Sequence, residues 1–169
     1  MKGRTKKLSR AGLVAGLYTL LSLITFPVAS GAIQFRVSEA LCVLPLIFPE
    51  TVPALAVGCL LSNLITGCAP FDIVFGSLIT LLAGLCTYFV GKCIKNTAIK
   101  IFLGGLFPVL LNAFLLPLIW LWCYGTIEYV YMLQALFLIV SQSVSVYALG
   151  TPLYLAVKGM KDKNIGFLE

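Results

Sequence analysis

Long apolar stretches run the length of this chain, broken by short turns rich in Pro, Gly and small polar residues. A helix that crosses a bilayer needs about 20 apolar residues. Six segments are candidates, covering about residues 11–29, 33–48, 52–65, 72–90, 101–122 and 129–157. Pro27 and Gly31 mark the end of the first, and Pro49 ends the second. The turn Thr66–Gly67–Cys68–Ala69–Pro70 closes the third. Segments two and three are short, and Pro45 and Pro53 interrupt or cap them. No internal repeat, linker, low-complexity tail or soluble domain is visible. The predicted architecture is a single all-α membrane domain over residues 1–169, a bundle of six transmembrane helices.

Composition points the same way. The 169 residues are 60% hydrophobic and 11% charged, with mean hydropathy +1.05. A soluble domain of this length could not hide so much apolar surface. The net charge of +6 is therefore no signal for nucleic acid. Eleven of the twelve basic residues fall in three clusters: Lys2, Arg4, Lys6, Lys7 and Arg10; Lys92, Lys95 and Lys100; Lys158, Lys161 and Lys163. Cytoplasmic loops are enriched in Lys and Arg, which suits an anionic inner leaflet. All three clusters, and both termini, are expected in the cytoplasm of a multi-pass cell-membrane protein. The number of crossings between successive clusters must then be even, and six helices satisfy this as four plus two. The outer loops, near residues 30–32, 67–71 and 123–128, carry no basic residue. Trp120, Trp122, Tyr124, Tyr129 and Tyr131 crowd the last of them, as an interfacial aromatic belt does. The first segment has the basic start of a signal peptide, but it is long and lacks a clear cleavage site, so a retained helix is expected.

Several chemistries are poorly supplied. The six cysteines include no CxxC pair, and there is no histidine, which argues against a zinc or Cys/His catalytic site. Small apolar packing is the plain role for those thiols, although Cys68 and Cys123 both fall on the outer side, where a disulfide is open to them. No GxxxxGK[ST] loop is present, so the chain does not hydrolyse ATP itself. An intramembrane enzyme lacks its catalytic groups. What remains is a small-molecule binder or transporter subunit.

The polar side chains are unevenly distributed in depth. Gln34, Arg36 and Glu39 enter the second segment from outside, Asn63 ends the third, and Asp72 begins the fourth. Glu128 and Gln134 begin the sixth, while Asn112 and Gln142 lie near the middle of the fifth and sixth. Most of these groups fall in the outer half of the bilayer, which predicts a polar chamber open to the outside on an apolar floor. A charge at the centre of a spanning helix costs about 2.5–3.5 kcal/mol on insertion scales. Arg36 and Glu39, spaced i and i+3 on one helix face, can neutralise each other or hold a polar ligand. Asp72 suits a helix N-terminus as a cap as well as a site. The amides serve equally as interhelical hydrogen bonds. Ala11 and Ala15, with Gly12 and Gly16 beside them, form a small-xxx-small stripe fit either for packing within the bundle or for docking a separate subunit. Gly76, Thr80 and Gly84 read as internal packing.

Three stretches carry a resemblance. Ile33-Gln34-Phe35-Arg36-Val37-Ser38-Glu39-Ala40-Leu41 with Leu44-Pro45, Gly58-Cys59-Leu60-Leu61-Ser62-Asn63-Leu64, and Asp72-Ile73-Val74-Phe75-Gly76-Ser77-Leu78 together resemble the QueT family. These are substrate-binding subunits (S components) of energy-coupling factor transporters. The resemblance covers essentially the whole chain. It implies the six-helix S-component fold and an outward-facing site for a queuosine precursor, a 7-deazaguanine base such as queuine. It implies a transmembrane coupling protein and two cytoplasmic ATPases as partners, docked at the Ala11–Ala15 stripe. The chain itself then needs no cofactor, since ATP is used by the partners. In such a site a carboxylate accepts the adjacent N–H donors of a guanine-like edge in a bidentate pair; Glu39 is the first choice and Asp72 the second. Arg36, Gln34 or Asn63 can donate to the ring oxygen, Asn112 and Gln134 complete the expected polar set, and Phe35, Phe71 or Tyr131 can line a slot for a flat ring. The same fold serving another vitamin or nucleobase, a solitary secondary transporter and a membrane assembly protein are the alternatives.

Overall fold

A computed structural model describes residues 2–29, 35–125 and 130–163, and every regular element among them is helical. Helix α1 is Lys2–Ala29. A 3₁₀ helix, Val37–Leu46, follows and is called the central helix below. Then come α2 (Thr51–Ile65), α3 (Pro70–Cys93) and α4 (Thr97–Tyr124). The last run, Tyr131–Asp162, is unbroken and comprises α5 (Tyr131–Ser143), a π-helical segment (Val144–Leu149) and α6 (Gly150–Asp162). Local chemistry sets the ends. Asn96 caps α4, its Oδ1 accepting from Ala98 N at 3.0 Å and Ile99 N at 3.3 Å, and Gly125 ends that helix at φ 68°, a conformation that favours glycine.

The sequence predicts six helices of spanning length, and among the described residues four are long and apolar enough: Gly3–Pro27, Pro70–Cys93, Thr97–Cys123 and Tyr131–Asp162. The second and third predicted spans are the exceptions. The central helix has 10 residues, and at about 2.0 Å of rise each it falls short of a hydrocarbon core about 30 Å thick. Helix α2 has 15 residues and falls short as well, at about 1.5 Å each. Pro45, Pro49 and Pro53 cut this region into pieces. The even-crossing rule is met by four crossings, two plus two, as well as by six.

The short central helix needs no lipid-facing length because it is the core. All its residues from Ser38 to Leu46 are buried. Leu41, Cys42 and Leu44 pack with Val14, Ala15 and Tyr18 of α1 and Leu55 and Cys59 of α2. Val43 and Leu46 pack the other way, with Ile101, Val109, Val146 and Tyr154. Lipid is as apolar as these side chains, so fit rather than water exclusion holds the elements together. Gly58 shows how close the fit is: a Cβ there would lie 2.8 Å from Tyr18 Cβ and 2.9 Å from the Ala15 carbonyl oxygen. The Ala11–Ala15 stripe is consequently turned inward. Ala15 is buried in the core and Ala11 packs against it, while Gly12 and Gly16 are exposed.

Three contacts trace the central helix running antiparallel to α1. Ser22 Oγ donates to Ser38 Oγ at 2.7 Å, Tyr18 Oη to Glu39 Oε1 at 2.7 Å, and Arg10 Nη2 pairs with Glu50 Oε1 at 2.8 Å. At the Arg10 end, the Phe48 ring takes the Arg10 guanidinium at 4.3 Å and the Lys161 ammonium at 5.1 Å. Lys158 Nζ donates to Thr97 Oγ1 at 2.9 Å, beside Lys95 and Lys100. The fold thus gathers the three basic clusters of the sequence at one end of the bundle.

Candidate ligand-binding cavity

A cavity of about 160 Å³ opens at the other end. One water needs roughly 10–15 Å³ on the same measure, so there is room for a small organic molecule. Its walls come from the C-terminal half of α1 (Ser22, Phe26), the start of the central helix (Arg36, Glu39), the end of α2, the start of α3, the far half of α4 and Gln142 of α5. Exposure divides the lining into a floor and a mouth. Glu39, Cys59, Ser62, Asn63, Asn112 and Gln142 are all buried, whereas Phe26, Arg36, Cys68, Asp72 and Trp120 are only partly covered or exposed.

Glu39 is the centre of the floor. It is 3% exposed, so its carboxylate has lost nearly all its water and must be held by protein donors. Oε1 accepts from Tyr18 Oη at 2.7 Å, and Oε2 accepts from Cys42 Sγ at 3.1 Å. Asn112 Nδ2 approaches Oε2 at 3.5 Å, the outer limit of a hydrogen bond. A carboxylate offers about four lone-pair positions. Tyr18 is the one strong donor, and Oε2 is met only by a weak thiol donor and a distant amide, so the carboxylate keeps acceptor capacity at the cavity it lines. None of these donors is charged.

Arg36 was expected to share a helix face with Glu39. It precedes the central helix instead, in extended conformation at φ −114° and ψ 110°, and makes no close ion pair with the carboxylate. Arg10 forms an ion pair with Glu50, whereas Arg36 forms none with any described residue. The half-buried guanidinium borders the cavity with its donors uncommitted to any described residue.

Asp72 sits in the first turn of α3, whose N-cap is Ala69. Its side chain does not cap that helix; Oδ1 accepts from Trp120 Nε1 at 2.6 Å. Asn63 is braced by its own neighbours, with Nδ2 donating to the Asp72 carbonyl oxygen at 3.2 Å and Gly76 close by, where a Cβ would approach Nδ2 to 3.3 Å.

Of the residues singled out from sequence, Arg36, Glu39, Asn63, Asp72 and Asn112 line this one cavity. Gln34 and Glu128 lie outside the described residues. Gln134 is buried at 2% exposure but is not in the lining. The aromatic slot is built differently from the expectation. Phe35, Phe71 and Tyr131 are absent from the lining, and Tyr131 Oη donates to the Phe114 carbonyl at 2.9 Å. Phe26 and Trp120 stand at the cavity in their place. Trp120 had the look of a belt residue, and only its contact with Asp72 reveals the other role. Sequence reasoning also passed over Ser22, Ser62 and Thr80, because single hydroxyls in apolar stretches look like packing. Cys68 and Cys123 are both free thiols.

No group of residues able to hold a metal ion occurs among the described residues. The cavity has the makings of a site for an uncharged or cationic polar molecule: two carboxylates against one guanidinium, a ring of amides and hydroxyls, and two aromatic faces. No curated protein and no solved structure matches the chain. The family model described as QueT transporter matches residues 8–159, a stretch that contains every lining residue of the cavity, and the chain therefore belongs to the QueT transporter family.

Proposed function

We propose that this chain is the substrate-binding S component of an energy-coupling factor transporter and that its cavity takes up a queuosine precursor, a 7-deazaguanine base such as queuine. The observation that supports this most is the state of Glu39: a buried carboxylate with one strong neutral donor, a thiol and a distant amide, and acceptor capacity left beside an open volume. A guanine-like edge presents adjacent N–H groups, and a carboxylate receives two of them in parallel. Arg36 is the donor for the ring carbonyl oxygen, and Phe26 and Trp120 take the flat faces of the ring. The excess of carboxylates over guanidinium disfavours anionic ligands.

The basic end faces the cytoplasm in this reading, which turns the cavity outward, with both termini inside. No nucleotide-binding loop is present in the sequence, so ATP hydrolysis belongs to two cytoplasmic ATPases reached through a membrane coupling protein. That protein docks on the outward face of α1, where the exposed Gly12 and Gly16, beside the inward-turned Ala11 and Ala15, permit close approach of another helix. Mass spectrometry of the small molecules that accompany the protein purified from cells tests the cargo. A 7-deazaguanine is expected; another vitamin, or recovery of lipid alone, overturns this assignment.

A further inference from the structure

Gln142 was weighed from sequence as one amide among several, and its surroundings set it apart. It lines the cavity and is only 3% exposed. Its Oε1 is enclosed, and no described residue donates to it. A buried acceptor without a partner is costly, and it is uncommon enough in folded proteins to need a reason. The backbone nearby is also unusual. Two residues further on, the helix loosens into the π segment Val144–Leu149, a form found mostly as short interruptions and often at functional sites.

The hydrogen-bond inventory of the floor shows what Gln142 is suited to receive. Two amide nitrogens already turn to protein acceptors: Asn112 Nδ2 to Glu39, and Asn63 Nδ2 to the Asp72 carbonyl. Among the acceptors of the floor, Glu39 has one strong donor, Tyr18, and keeps room for more, while Oε1 of Gln142 has no donor at all. A guanine-like edge carries three N–H hydrogens, one on the ring and two on the exocyclic amine. Glu39 accepts the ring N–H and one amine hydrogen, which leaves the second amine hydrogen over. We infer that Gln142 is a specificity-determining residue whose Oε1 accepts this second hydrogen, so that the cavity selects bases that carry the exocyclic amine. This rests on the deazapurine reading above and adds to it an assignment for one residue and one ligand group.

The test is a binding titration of 7-deazaguanine and of 7-deazahypoxanthine, which lacks the amine, to purified wild-type protein and to Gln142→Met and Gln142→Glu. Methionine keeps the length of the side chain and removes the acceptor; glutamate keeps the acceptor. Thermal melting of each variant in detergent establishes that it is folded. We expect Gln142→Met to weaken 7-deazaguanine by about 10- to 100-fold, to leave 7-deazahypoxanthine within about twofold, and Gln142→Glu to retain 7-deazaguanine. Equal losses for the two bases, or no loss for either, overturn the role of Gln142 while leaving the deazapurine reading in place. A wild-type protein that binds neither base overturns both. Should Gln142→Met not fold, the Gln142→Glu arm decides: a loss of 7-deazaguanine as large as the loss on removing the amine from the ligand counts against the proposal.

Discussion

Each end of the bundle buries a carboxylate, and the two are treated differently. At the basic end Glu50 is paired with Arg10 at 2.8 Å, and Phe48 packs on the guanidinium and on Lys161. At the cavity end Glu39 is held by a phenol, a thiol and a distant amide, and Arg36 makes no ion pair with it. The first arrangement is closed: charge meets charge and an aromatic ring covers the guanidinium. The second keeps acceptors and donors unspent around open volume. Buried charge alone does not mark a site. What marks it is the hydrogen-bonding capacity left over once the protein's own partners are counted.

That contrast can be broken by exchanging the fates of the two carboxylates. Glu50→Ala removes the carboxylate from the buried Arg10–Glu50 pair, and breaking such a pair costs about 3–5 kcal/mol; thermal melting should fall strongly, with ligand affinity unchanged in whatever protein folds. Glu39→Gln should do the reverse, weakening binding of 7-deazaguanine by roughly 100-fold, or about 2.7 kcal/mol, with a smaller change in melting. Gly58→Val presses on Tyr18 and Ala15, and overpacking of this kind costs about 1–3 kcal/mol; because Tyr18 holds Glu39, both melting and affinity should drop. Trp120→Phe keeps an aromatic ring and loses the bond to Asp72, an effect of about 1 kcal/mol, read as a small fall in melting together with a several-fold loss of affinity.

Much of the cavity was legible in the sequence because polar groups in an apolar chain stand out. Arg36, Glu39, Asn63, Asp72 and Asn112 were conspicuous, and they do converge. The gathering of the basic clusters at one end followed from their spacing. The rest was hidden for definite reasons. Gln134 and Gln142 look alike in sequence, yet eight residues carry a helix about 12 Å along and about 80° past two full turns, so only one reaches the cavity. The i, i+3 spacing of Arg36 and Glu39 implied a pair on one face, but the helix begins after Arg36. The apolar segment broken by Pro45 reads as a full-length spanning helix, and it forms a buried 3₁₀ helix of 10 residues, a distinction that hydropathy alone does not make. The Trp120–Asp72 contact joins residues 48 positions apart, beyond the reach of any local pattern.

The account turns on the unspent capacity of Glu39. Calorimetric titration of 7-deazaguanine into wild-type protein, Glu39→Gln and Glu50→Gln tests it most directly. Saturable binding to wild type and to Glu50→Gln, with affinity reduced by roughly 100-fold in Glu39→Gln, is the predicted result. Equal binding to all three folded proteins would contradict it.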